Sequence, residues 1–171
     1  MGNIYGKEGL LSGLFKSRDS RDSLDELINS LDPNITRLDL KNRGIERIPE
    51  NITTLKKLKW LNLPHNKLTH LPDYMCNLTG LLTLRVLGNN IAVLPSQITK
   101  MTSLTCLDLG KNDFTEVSPS LGELHQLNEL HLHWNRIQSV IYSIFNLLLA
   151  HLYLFVILTP LLYYFFFFFF L

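Results

Sequence analysis

Cysteine is nearly absent from this chain: Cys76 and Cys106 are the only two among 171 residues. Two thiols cannot build a disulfide framework, and both are expected to be free, as in a reducing compartment. A long apolar run is missing from the N-terminus, where Lys7, Glu8 and Lys16 interrupt MGNIYGKEGLLSGLFKSRDSRDS. No cleaved signal peptide is expected, and the expected location is cytoplasmic. The N-x-S/T triplets at Asn34, Asn51 and Asn77 occur at chance frequency and do not argue for secretion. An excess of charge is also missing. With a net charge of +1 and no stripe of Lys and Arg, nucleic acid is not an expected partner. Nor is there a Gly-rich phosphate loop, a G-x-S-x-G elbow or a paired-carboxylate motif, so neither catalysis nor a cofactor is expected.

One absence is local. All 31 charged residues lie at or before Arg136, and from Ile137 to Leu171 there is no Asp, Glu, Lys or Arg. Of those 35 residues, 28 are apolar, so the chain reads as two unlike segments joined end to end. At the other terminus, Met1-Gly2 starts like an N-myristoylation signal, but Gly6 stands where Ser or Thr is wanted. Gly2 is therefore a weak lipidation site.

What is present is a repeat. Five blocks of 23 residues begin at Ile35, Leu58, Leu81, Leu104 and Leu127, and seven positions in every block are apolar. Position 4 reads Leu38, Leu61, Leu84, Leu107, Leu130; position 6 reads Leu40, Leu63, Val86, Leu109, Leu132. Position 9 reads Arg43, Asn66, Asn89, Asn112, Asn135, and Pro49, Pro72 and Pro95 follow position 14 in the first three blocks. Leu-x-Leu has period two, so Leu38 and Leu40 share one face of a short strand and Asp39 takes the other. The chain must then turn, and the asparagines Asn66, Asn89, Asn112 and Asn135 can bond turn backbone that would otherwise be buried unpaired. Proline favours an extended or 3-10 return rather than a full α-helix. One block cannot bury its leucines alone; stacked blocks share a continuous core.

The pattern L-x-x-L-x-L-x-x-N-x-L-x-x-L-P over residues 35–140 resembles the leucine-rich repeat (LRR) family. Its 23-residue length with Leu-Pro is similar to the intracellular Ras-scaffold and Ras-suppressor type. The resemblance implies an α/β solenoid with a curved parallel β-sheet on its concave face and short 3-10 or extended convex segments. It also implies a non-catalytic adaptor, with a small GTPase of the Ras class or a phosphatase as partner; contacts vary between such relatives, so no contact residue carries over. A monomer is expected.

Four segments are expected: a flexible stretch at 1–22, a cap helix at 23–34, five repeats at 35–146 and an apolar tail at 147–171. Ser23-Leu24-Asp25-Glu26 is an S-x-x-E capping box, and Leu24, Leu27, Ile28 and Leu31 follow helical spacing before Asp32-Pro33. This helix would close the open end of the solenoid.

Strand positions alternating with the core leucines face the concave side. Position 3 places Arg37, Trp60, Thr83, Cys106 and Glu129 there; position 5 places Asp39, Asn62, Arg85, Asp108 and His131. The turn after each strand adds Lys41, Pro64, His65, Leu87, Lys111, His133 and Trp134. Trp and Arg are the types that most often anchor protein interfaces. The expected partner-binding face therefore centres on Trp60, Arg85, Asp108, His131 and Trp134, with Arg37, Asp39, Asn62, Glu129 and His133 around them. Glu129, His131 and His133 alternate beside Cys106 and Asp108, a set that zinc accepts. An open face with no identifiable supporting partner makes a resident metal unexpected, and none is assigned.

The tail has three readings. As a helix, Leu147 to Leu171 would span ~37 Å, against a ~30 Å hydrocarbon core, and would make a C-terminal membrane anchor. A solenoid cap needs a polar outer face, which this segment lacks. Its Phe, Leu, Tyr and Ile content also fits translation of a T-rich non-coding stretch beginning near Val140. The functions expected are accordingly an LRR adaptor, a membrane-anchored recruitment protein, or a truncated product of a longer scaffold.

Overall fold

A computed structural model describes residues 20–137. The Gly2 signal, the core sites Val140, Ile144 and Leu147, and the apolar tail lie outside the described residues. The leading element is α1, Ser20–Ser30. It already includes residue 20, so Ser23 lies inside the helix rather than capping it, and the helix ends at Ser30, ahead of Asp32-Pro33. Leu24, Leu27 and Ile28 nevertheless bury one face of α1 in the solenoid core, which is the spacing's prediction. The side chain of Asn51 fastens α1 to the first repeat: its Nδ2 donates to the Asp25 carbonyl at 2.9 Å and to Asn29 Oδ1 at 3.0 Å.

Five three-residue strands follow: β1 Arg37–Asp39, β2 Trp60–Asn62, β3 Thr83–Arg85, β4 Cys106–Asp108 and β5 Glu129–His131. They form one parallel sheet in chain order. The register preserves the 23-residue period, so Leu38, Leu61, Leu84, Leu107 and Leu130 stand side by side. Every core position of the repeat among the described residues is buried, except the half-buried end positions Ile35 and Ile137. This is the expected LRR solenoid.

The return segments are 3-10 helices at Glu50–Thr54, Asp73–Asn77, Ile98–Lys100 and Pro119–Glu123, each packed on the next. Pro49 and Pro72 sit at the N-caps of the first two. The fourth block has Ser118 in the proline column, yet its 3-10 helix starts in the same register, with Pro119 at its first position. The turn bond is conserved as well: Leu121 N donates to Ser118 O at 3.1 Å, as Ile98 N does to Pro95 O. Among the described residues, no helix is long and apolar enough to cross a membrane.

Position 8 of every block has positive φ: Asn42 57°, His65 55°, Gly88 69°, Lys111 51° and Trp134 56°. The left-handed residue reverses the chain after each strand, at a cost of about 1–2 kcal/mol where the residue has a Cβ. The column already contained the signal, since Asn42 and Gly88 are the types that tolerate this region.

Candidate functional site

The floor beneath the candidate surface is the asparagine ladder. Asn66 Oδ1 accepts from the backbone N–H groups of Arg43 and Ile45, each at 3.0 Å, in the preceding block. Its Nδ2 donates to the carbonyls of Leu40 and Leu63, both at 2.9 Å. Asn89 repeats this with Leu68 N, Leu63 O and Val86 O, and Asn112 with Ile91 N, Val86 O and Leu109 O. Asn135 accepts from Phe114 N and donates to Leu109 O and Leu132 O. Each amide thus binds two neighbouring blocks, holding the turns that end the strands.

On that floor, the concave face differs along its length. At the β1–β2 end, the side chains are already engaged with one another. The Arg37 guanidinium lies 4.8 Å from the Trp60 ring centroid, a cation–π contact worth about 0.5–1 kcal/mol where exposed. Asn62 is buried, and its Nδ2 donates to Asp39 Oδ1 at 2.9 Å, while Asp39 also accepts from Lys41 N at 3.1 Å. Asn62, expected on the binding face, is therefore part of the sheet's own bonding. Its amide would cost free energy if left unpaired there. Arg85 is exposed at the middle of the sheet.

At the β4–β5 end, different chemistry converges. Register places Cys106 beside Glu129 and Asp108 beside His131. The ligand atoms of Cys106, Glu129 and His131 lie within 4.8 Å of one another, with His131 Nε2 3.9 Å from Glu129 Oε2. Burial pushes the Cys106 thiol up to about 11; the hydrogen bond and charge of Glu129 add to this, and Arg85 opposes it. Asp108 is occupied otherwise, its Oδ1 accepting from Gly110 N at 3.1 Å. His133 lies beyond the strand, and its ring sits over Gly110, where an added Cβ would come within 2.5 Å of His133 Cε1. It meets Trp134 edge-on at 5.0 Å and leaves the convergent set, although sequence alternation grouped it with His131. The turn has already rotated the chain by that point. Trp134 remains 68% exposed.

Both cysteines are free. Cys76 is buried in the 3-10 helix Asp73–Asn77 on the opposite side from the β4 thiol, and burial together with Asp73 pushes it up to about 11. Sequence reasoning did not foresee the Arg37–Trp60 stack or the left-handed column that carries Trp134.

Comparison with known proteins bears on this geometry. A family model described as a leucine-rich repeat region matches residues 20–158. Among solved structures, the chain is similar to an LRR protein of Leptospira interrogans, with 30% identity, a TM-score of 0.62, and coverage of 64% of this chain and 28% of that one. It is also similar to internalin C2 of Listeria monocytogenes, with 29% identity, a TM-score of 0.63, and coverage of 74% of this chain and 53% of that one. The chain thus spans about a quarter to a half of these relatives' length. Curated proteins give no significant match.

Proposed function

The chain belongs to the leucine-rich repeat family, and from that premise we propose that it is a non-catalytic adaptor presenting the concave sheet face to a protein partner. One observation carries the reading: five in-register strands align exposed Arg85 and Glu129 with half-buried Trp60, Asp108 and His131 along one sheet, and exposed Trp134 follows in the turn after β5. That surface mixes both charges with Trp60 on the sheet and Trp134 in the adjoining turn, a composition suited to protein recognition. The ladder below it fixes the strands, so binding would proceed with little backbone rearrangement. The 23-residue Leu-Pro repeat supports an intracellular signalling partner, either a Ras-class GTPase or a phosphatase catalytic subunit, and a cytoplasmic site of action.

The test is the double substitution Trp60→Ala with Arg85→Ala, read by affinity capture. It is expected to abolish capture of the partner while leaving the fold intact, and an unchanged capture profile would overturn the concave-face assignment. A second reading, membrane recruitment, rests on the 35 uncharged residues from Ile137 to Leu171. It predicts that the full chain resists alkaline extraction from membranes; release into the soluble fraction would remove it.

A further inference from the structure

We propose that Cys106, Glu129 and His131 form a binding site for a borderline-soft divalent cation of the Zn²⁺ class, at the β4–β5 end of the concave face. The adaptor reading assigns these residues no such role, and metal binding requires no partner, so either proposal can fail without the other.

Placement comes first. Glu129 and His131 are two residues apart on β5 and therefore share a face, and Cys106 stands opposite Glu129 in the register of β4. Three atoms of three different kinds, a sulfur, a carboxylate oxygen and an imidazole nitrogen, lie within 4.8 Å of one another. Zinc bonds of ~2.0–2.3 Å in a tetrahedron put ligand atoms about 3.3–3.8 Å apart. The cluster must contract by about 1 Å on that scale. The Glu129 side chain is 58% exposed and has room to move, whereas Cys106 is buried and His131 is half-buried.

Charge and ligand chemistry select the ion. A thiolate and a carboxylate together neutralise a dication, and thiolate with imidazole favours zinc over magnesium or calcium, which prefer oxygen. Arg85 on β3 faces the Cys106 sulfur and opposes a cation, so both anionic ligands are required. On binding, the sulfur–hydrogen bond breaks, its electron pair forms the sulfur–metal bond, and the proton leaves to solvent. Three protein ligands leave a fourth position for water, the arrangement of an open rather than a structural zinc site. Asp108 and His133 stay outside the set for the reasons of geometry given above.

The probe is cobalt(II) added to the chelator-treated full chain, since a thiolate bound to cobalt gives a charge-transfer absorption. The expected result is one equivalent bound, displacement by Zn²⁺, loss of the band in Cys106→Ser and its retention in Cys76→Ser. Thr83 occupies the Cys106 column in the neighbouring block, so a small hydroxyl side chain has a precedent there. His131→Asn and Glu129→Gln provide a second test that does not touch the buried thiol. Removing groups that merely support a ligand weakens metal binding ~10–100-fold, and removing a ligand must cost at least about tenfold. His133→Asn should leave the titration unchanged. No thiolate band with cobalt in excess, a band that persists in Cys106→Ser, or unchanged affinity in both β5 variants would overturn the proposal.

Discussion

Two columns of the same 23-residue repeat obey opposite rules. Position 9 is asparagine in four of five blocks, and each copy makes the same contacts: it accepts from the preceding block's turn and donates to carbonyls of two blocks. Positions 3 and 5 of the strands stand only a few residues away and hardly repeat at all. The difference follows from what surrounds them. A ladder amide is enclosed by turn backbone whose N–H and carbonyl groups bond to the amides of the ladder, so geometry dictates the residue. A strand-face side chain meets solvent or its in-register neighbour, so many residues fit and binding is free to choose among them. Stability resides in the repeating columns, and the proposed function puts recognition in the varying ones.

The largest test of that contrast lies in the ladder. Asn89→Ala would orphan Leu68 N–H and remove one of the two amide donors at each of the carbonyls of Leu63 and Val86, which keep Asn66 and Asn112. At ~1–3 kcal/mol for the orphaned buried N–H and ~0.5–1.5 kcal/mol for each of the two hydrogen bonds lost at the carbonyls, the expected loss is about 3–5 kcal/mol in urea unfolding. Thr83→Ala, on the face of the same block, should stay within ~0.5 kcal/mol. Equal losses would break the comparison. Next comes the core column: Leu84→Ala opens a cavity among fully buried leucines and should cost ~2–5 kcal/mol by the same assay.

A further effect depends on pH and on the two buried thiols. Both folded-state values are raised, to about 11, chiefly by burial, above the unfolded value near 9. Stability from keeping the thiols protonated is therefore complete below about pH 9 and is lost as pH rises through about 11. Urea midpoints measured with chelator present should fall across that window, and Cys76→Ala should flatten the decline by removing one titrating group. A decline just as steep in that variant would show that the convex-side thiol contributes nothing.

Periodicity made the register, the buried columns and the asparagine positions legible, because each follows from a residue that must be buried or must bond backbone. Boundaries were less legible. The S-x-x-E box at Ser23 predicted a start that the helix overruns, because the packing of Leu24, Leu27 and Ile28 on the core, rather than the cap, defines α1. The proline column lapses at Ser118, yet the 3-10 helix starts in the same register, with Pro119 at its first position. On the face, alternation correctly gathered Cys106, Glu129 and His131 but also included His133, which the turn carries over Gly110. Pairings such as Arg37 over Trp60 and Asn62 to Asp39 depend on side-chain rotamers across strands, which spacing alone does not specify.

Whether recognition and stability reside in different columns is decided by measuring partner capture and melting temperature together in the Trp60→Ala, Arg85→Ala double variant. Removing Trp60 forfeits the ~0.5–1 kcal/mol contact with Arg37 together with its partial burial, about 2 kcal/mol in all and a fall of roughly 4–8 °C at ~2–4 °C per kcal/mol. Capture is expected to disappear while the melting temperature falls by no more than that. Capture that persists at the wild-type level in a folded double variant would contradict that separation.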